Sequence, residues 1–184
     1  MRDMVSSSSD SGTGQNLREE SRAAVVEDGG SGFHVVLVEP EIPPNTGNAA
    51  RLCLATGSTL HLVKPLGFSI DDKAVKRAGL DYWKETKVML WESFAELEAA
   101  HPQGRFWFLT TKTERPYYEA SLTPGDFLVF GRETKGLPEP LLANHSSRLL
   151  TIPMSRKTRS LNLATAVAIV LFEGVRQYRT TPRL

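Results

Sequence analysis

The feature that most constrains the fold is a regular alternation of short apolar runs with helix signals. The apolar runs are four to six residues long, the length of buried strands, and they cover residues 33–38, 59–63, 106–109, 127–130 and 149–152. Strands that alternate with helices favour parallel pairing, since each parallel connection needs a crossover. The pattern therefore predicts an α/β fold with a mostly parallel sheet.

Helix signals stand between or after these runs. They are, in chain order, Asn45 or Thr46 before a helix closed by Gly57, a capping box of Ser93 and Glu96, Pro138 in the first turn of a short helix, and Ser160 capping a final helix that reaches about Tyr178. Each signal supplies a partner for orphan backbone groups or fixes a helix-compatible dihedral angle.

Composition divides the 184 residues into a tail and one domain. Residues 1–32 are rich in Ser and Gly and carry three Arg against six Asp or Glu, so they are predicted to be disordered. An organellar address is the competing interpretation, and the acidic residues argue against it. Residues 33–184 form the predicted domain. The chain total of +1 leaves this domain at +4, because the tail sums to −3.

The same composition argues against a disulfide-linked protein, a membrane-spanning protein and a metal-binding protein. Cys53 is the single cysteine, which excludes an internal disulfide and any multi-cysteine metal site and fits a reducing compartment. No run approaches the ~20 apolar residues of a membrane span. His34, His61, His101 and His145 have no ligand spacing, so no metal is expected.

The first segment with chemical potential covers residues 43–51. Asn45, Asn48 and Arg51 are three apart and would share one stripe of a helix that starts here. Amide side chains and a guanidinium at a helix start suit a phosphate or a ribose. An N-cap followed by a solvated Arg is the alternative.

The second and third segments follow later strands. Gly131 ends an apolar strand, and its missing Cβ would admit a flat ring near the backbone; an ordinary glycine turn is the alternative. Glu133 could pair with Arg51 or with a neighbouring strand. Further along, Ser160 and Asn162 open the final helix and could satisfy the polar edge of a ligand, although a capped core helix explains Ser160 equally well.

Together and in this order, the segments resemble the three motifs of SPOUT RNA methyltransferases. The matching residues are Asn45, Gly47, Asn48 and Arg51, then Phe130-Gly131, Glu133 and Gly136-Leu137, then Ile152-Pro153-Met154 and Ser160-Leu161-Asn162. The similarity runs from about residue 33 to 177. Residues 39–48 and 77–82 are similar in particular to the small tRNA 2′-O-methyltransferases that act at the wobble position.

The resemblance implies a Rossmann-like domain with a deep C-terminal trefoil knot that binds S-adenosylmethionine, and a homodimer whose sites are completed across the interface. Its cofactor positions carry over onto Leu109, Gly131, Ile152 and Ser160. Its catalytic positions carry over onto Arg51 as proton acceptor or orienting group, Asn45 and Asn162 for the ribose and backbone, and Glu133 to hold Arg51.

The implied substrate is the wobble nucleotide, cytidine or uridine 34, in the anticodon stem-loop of tRNA, with leucine tRNAs expected and a cytoplasmic location. Basic and aromatic side chains suit RNA contact, namely Lys73, Lys76, Arg77 and Lys84 with Tyr82 and Trp83, and Arg156, Lys157 and Arg159. A solvated charged face with core aromatics is the alternative for Lys84 and Trp83. Two rival functions stay open: the same chemistry on another tRNA position or on ribosomal RNA, and a catalytically silent RNA-binding protein.

Overall fold

A computed structural model of the chain describes residues 32–70 and 83–180. Its centre is one six-stranded sheet in the order β3-β2-β1-β5-β4-β6, and every pairing in it is parallel. The strands are β1 (His34–Val38), β2 (Thr59–Val63), β3 (Val88–Trp91), β4 (Phe106–Leu109), β5 (Phe127–Phe130) and β6 (Leu149–Leu150). The predicted parallel α/β fold is confirmed.

In the described part of the chain, four α-helices cover the two faces of the sheet. They are α1 (Pro43–Thr56), α2 (Phe94–Ala100), α3 (Glu139–Asn144) and α4 (Leu163–Thr180). Alternate side chains of β1 enter different cores: Val35 and Leu37 join a cluster with α1 and α4, whereas Val36 and Val38 join one with α2 and α3. This period of two, apolar on both faces, is what a sheet between two helical layers requires.

Several predicted elements agree closely with the structure. The runs 59–63, 106–109 and 127–130 are strands with those bounds. Gly57 closes α1 in the left-handed conformation, with φ of 65°. Ser93 caps α2 by accepting a hydrogen bond from the Glu96 amide at 3.2 Å.

Other boundaries differ from prediction for identifiable reasons. Helix α1 begins at Pro43, so Asn45 and Thr46 lie inside its first turn and neither caps it. Helix α4 begins at Leu163 and is capped by Asn162 rather than Ser160. Strand β6 is only two residues long, and Thr151 makes an isolated bridge with Pro116.

Parts of the prediction fall outside the described residues. These are the predicted tail, except for Gly32, and the basic and aromatic residues Lys73, Lys76, Arg77 and Tyr82. Within the described ranges, no helix is long and apolar enough to cross a membrane.

Candidate functional site

The loops that follow the central strands meet at the carboxyl edge of the sheet. β1 lies beside β5 at the middle of the sheet, with β2 and β3 on one side of this pair and β4 and β6 on the other. Such a switch point opens a crevice, because the two adjacent loops leave on opposite sides of the sheet. The segment carrying Asn45 follows β1 and the segment carrying Gly131 follows β5, so both border the crevice.

A cavity of about 290 Å³ lies beside this crevice. It is walled by the ends and following loops of β4, β5 and β6 and by the start of α4. All four residues predicted to contact a cofactor line it, namely Leu109, Gly131, Ile152 and Ser160. The fold thus brings together four residues from three separate loops, and their role in cofactor binding stays a prediction.

Gly131 is required by its own loop. A Cβ atom at this position would lie 2.1 Å from the carbonyl carbon of Gly136, far inside van der Waals contact. The loop folds back so that Arg132 and Gly136 exchange backbone hydrogen bonds, and Gly136 takes a left-handed φ of 67°. The expected space above Gly131 is therefore partly filled by protein backbone rather than left open for a ligand ring.

The Glu133 carboxylate holds the start of α1. Its oxygens accept hydrogen bonds from the backbone amides of Glu41 at 2.9 Å and Ile42 at 3.2 Å, and from Asn45 Nδ2 at 3.0 Å. A carboxylate at this place satisfies amides that precede the helix and complements the positive end of the helix dipole. Through these bonds Glu133 fixes the helix that carries Arg51.

Asn45 and Asn162 extend this connection to the third segment. Asn162 Nδ2 donates to Asn45 Oδ1 at 2.8 Å, while Asn162 Oδ1 accepts from the Thr165 amide at 3.2 Å and caps α4. One continuous chain of hydrogen bonds therefore runs from Glu133 through Asn45 and Asn162 to the start of α4. Three of the four predicted catalytic residues belong to it.

Two further links between the loops after β1 and β5 were not predicted. Glu39, whose φ is 53°, forms an ion pair with Arg132. The Glu41 carboxylate accepts hydrogen bonds from the Thr134 amide at 3.1 Å and from its hydroxyl at 2.9 and 2.8 Å. Glu39 and Glu41 are two residues apart, as are Arg132 and Thr134, so the two links are in register after adjacent parallel strands. The sequence does not show which strands are neighbours, so no local signal could have found these links.

Arg51 is the fourth predicted catalytic residue, and it stands apart from the cavity wall. It lies on the exposed surface of α1, six residues after Asn45, or about 9 Å further along the helix axis. Asn48 is exposed on the same stripe, whereas Asn45 is only 6% exposed. The stripe thus runs from the buried hydrogen-bond chain to the surface.

The predicted RNA-contacting residues separate into groups. Arg159 lines the cavity, whereas its loop neighbours Arg156 and Lys157 are exposed outside the cavity wall. Trp83 is half-buried against the core beneath α1 and α4, as the core alternative states, and Lys84 is exposed.

Three of the four histidines, which the sequence did not predict to interact, lie together. His34, His61 and His101 form a cluster in which His34 Nδ1 and His61 Nε2 lie 2.8 Å apart, and Trp91 Nε1 donates to His61 Nδ1 at 3.0 Å. Burial, with smaller effects of His34 and His101, lowers the pKa of His61 to about 3. Within residues 32–70 and 83–180, no group of His, Cys, Asp or Glu has an arrangement suited to a metal.

A parallel sheet with a switch-point crevice, an adjoining cavity and convergent polar side chains is typical of α/β enzymes that bind a small organic ligand beyond their strand ends. Comparison with known proteins gives the particular family. The SpoU rRNA Methylase family profile matches residues 32–172, and the chain belongs to this family of methyltransferases.

Individual relatives agree with the family assignment. A Bacillus subtilis protein with the provisional name tRNA (cytidine(34)-2′-O)-methyltransferase is 51% identical over 148 residues, which are 79% of this chain and 92% of the relative. A solved structure from work on the 2-OH methylation of C/U34 on tRNA is 46% identical, covers 79% of this chain and 95% of its own, and has a TM-score of 0.74. The fold extends to the Streptomyces viridochromogenes SpoU methyltransferase AviRb with AdoMet, at 23% identity and TM-score 0.71, over 86% of this chain and 62% of that one.

Proposed function

We propose that this methyltransferase transfers a methyl group from S-adenosylmethionine to the ribose 2′-hydroxyl of the wobble nucleotide, cytidine or uridine 34, of tRNA. The observation that carries the proposal is the meeting of three distant motifs around one cavity and one hydrogen-bond chain. The names of relatives that are 46–51% identical support the nucleotide and its position.

The character of the cavity supports S-adenosylmethionine as its ligand. Its volume of about 290 Å³ is near the lower end of small-molecule sites, and apolar walls from Leu109, Ile152 and Leu161 suit a purine ring. Loop backbone groups of residues 131–136 and 151–160 can meet the polar edges of the cofactor. The bound AdoMet of the AviRb structure supports the same donor. When bound, the donor supplies an electrophilic methyl group on a sulfonium.

The residues of this chain must then orient the ribose and its 2′-hydroxyl. A 2′-hydroxyl is a poor nucleophile, so its proton would pass to a phosphate oxygen of the substrate or to water as its oxygen takes the methyl group, and neutral S-adenosylhomocysteine would leave. Arg51 orients the hydroxyl and an adjacent phosphate, since a guanidinium whose pKa exceeds ~12 is a weak base but a strong bidentate donor. Asn45 and Asn162 position the ribose side of the site. Glu133 holds α1, and thereby Arg51, in register with the cavity.

The finer architecture in this proposal is a trefoil knot. β6 lies at the edge of the sheet, whereas α4 packs against α1, and the segment between β6 and α4 lines the same cavity as the 131–136 loop. This shared cavity wall supports a C-terminal segment threaded beside the 131–136 loop.

A homodimer that uses α4 is the proposed assembly. Phe172 on α4 is 47% exposed and Ile42 before α1 is 44% exposed, which leaves apolar surface beside both helices. We expect Phe172→Glu to yield monomers in light scattering, and an unchanged mass would contradict this interface.

The proposed substrate is the anticodon stem-loop of leucine tRNAs, and the proposed location is the cytoplasm.

The decisive experiment is methylation of purified tRNAs and ribosomal RNA with labelled S-adenosylmethionine, followed by nuclease mapping. We expect one 2′-O-methyl group at position 34 of leucine tRNAs. A methyl group at another nucleotide would replace the substrate but keep the chemistry. No transfer to any RNA, together with no heat of cofactor binding, would instead support the silent RNA-binding function.

A further inference from the structure

The cavity wall carries an excess of positive charge. Among the described residues, four cationic side chains line it, and Glu133 is the one acidic residue in the lining. The cations are Lys112, Arg132, Lys135 and Arg159. The Glu133 carboxylate is engaged by two backbone amides and by Asn45, so it serves α1 rather than these cations.

Two of the four cations have acidic partners. Lys112 forms an ion pair with Glu139, the first residue of α3. Arg132 forms an ion pair with Glu39 after β1. Their charges are therefore compensated within the protein.

The other two cations have no such partner. Lys135 and Arg159 are exposed at the cavity and form no hydrogen bond or ion pair within residues 32–70 and 83–180. They come from different loops, one after β5 and the other before α4, so they approach the cavity from two parts of the site.

We infer that Lys135 and Arg159 form a phosphate-binding pair at the cavity, which holds the RNA backbone phosphate next to the target ribose. The inference rests on the proposed transfer to an RNA ribose. S-adenosylmethionine has a net positive charge, so two uncompensated cations oppose its binding rather than explain it. A phosphodiester matches them, because guanidinium groups bind phosphate oxygens through a fork of N–H donors and lysine adds a point charge.

Each cation is tested by its glutamine variant, with Arg156→Gln as the matched control. Arg156 lies three residues before Arg159 on the same loop, outside the cavity wall, and its variant removes the same charge. We expect Arg159→Gln and Lys135→Gln each to weaken tRNA binding about tenfold and to lower the slope of log Kd against log salt by about one. Calorimetry should give an affinity for S-adenosylmethionine no weaker than that of the wild type.

A single uncharged linkage in the RNA identifies the phosphate that Lys135 and Arg159 contact. The probe is a ligated full-length tRNA with one methylphosphonate linkage beside the mapped target nucleotide. We expect it to weaken wild-type binding about as much as Arg159→Gln does, and to add little in the Arg159→Gln variant, because both changes remove one contact. In the Arg156→Gln control, the loss of affinity caused by the neutral linkage should add to any loss caused by the variant.

Two results would overturn the inference. If the neutral linkage weakened tRNA binding by its full amount in both Arg159→Gln and Lys135→Gln, neither residue would contact that phosphate. A loss of cofactor affinity with unchanged tRNA affinity would assign the pair to the cofactor carboxylate. Because the linkage is placed beside whichever nucleotide the wild type methylates, failure of the position-34 proposal is distinguishable from failure of the phosphate pair.

Discussion

Asn45 and Asn162 lie 117 positions apart in the sequence and share a hydrogen bond of 2.8 Å, in which Asn162 donates to Asn45. The bond joins the first turn of α1 to the cap of α4. Because Asn45 also donates to Glu133, its amide is fixed at both ends and cannot turn over without losing a partner. This relationship makes the middle of the site rigid and gives each amide a defined orientation.

Asn162→Asp separates the cap from the bridge. An aspartate keeps the oxygen that caps α4 but has no N–H to donate to Asn45. The Asn45 amide can then donate to Glu133 or to the new carboxylate but not to both, so its carbonyl oxygen always faces an oxygen that cannot donate to it. We expect methyl transfer to fall at least about tenfold while thermal stability changes by less than about 1 kcal/mol. Asn162→Ala is the comparison, since it should lose both activity and cap stability. Full activity of the aspartate variant in steady-state kinetics would contradict the role of the bridge.

Arg51→Ala should remove catalysis while leaving the cofactor site intact, because Arg51 is exposed on α1 and lies outside the cavity lining. We expect kcat to fall by roughly a hundredfold or more, the scale of the loss when reacting groups are no longer correctly oriented. Calorimetry should show unchanged affinity for S-adenosylmethionine. Arg51→Lys tests the fork, since it retains the charge without the planar pair of donors. Wild-type kcat in the alanine variant would disprove the assignment.

Much of the fold was predictable because its strands are apolar on both faces. Runs such as 106–109 and 127–130 end at polar residues or glycine, and the structure gives them the same bounds. β3 was missed although residues 88–91 are all apolar, so its signal was present in the sequence and was overlooked. The strand lies at the edge of the sheet, where Met89 and Leu90 are exposed. The cap at Ser160 was wrong because local propensity does not reveal that Asn162 is fixed by distant Asn45.

The site divides in the same way. Resemblance placed Leu109, Gly131, Ile152 and Ser160 on one cavity wall, and the fold brings them together. The bond from Thr134 to Glu41 spans 93 positions and depends on which strands are neighbours. Strand order is a tertiary property, so no local pattern could establish that link.

Gly131→Ala tests the tight return of the 131–136 loop. Its Cβ would lie 2.1 Å from the Gly136 carbonyl carbon, so the backbone must shift and the cavity wall moves with it. We expect cofactor affinity to fall at least about tenfold and unfolding free energy to fall by about 1–3 kcal/mol. Gly125→Ala is the control, because its φ of 89° is strained for alanine while the added Cβ meets no atom within 4 Å. Calorimetry that gave both variants wild-type cofactor affinity would contradict the assignment of this cavity.

Acidification should destabilise the protein through His61. Its side chain is fully buried, and burial lowers its pKa to about 3 from an ordinary value of 6.5. Below pH 6.5 the unfolded chain therefore binds a proton at His61 that the folded chain does not bind. The free energy of unfolding is highest above that pH and decreases progressively toward pH 3. The loss should reach about 2 kcal/mol at pH 5. His61→Gln is the matched variant, since its amide can accept from Trp91 and donate to His34 without titrating. Urea unfolding between pH 7 and 5 should show a shallower dependence on pH in the variant, and equal slopes would refute the role of His61.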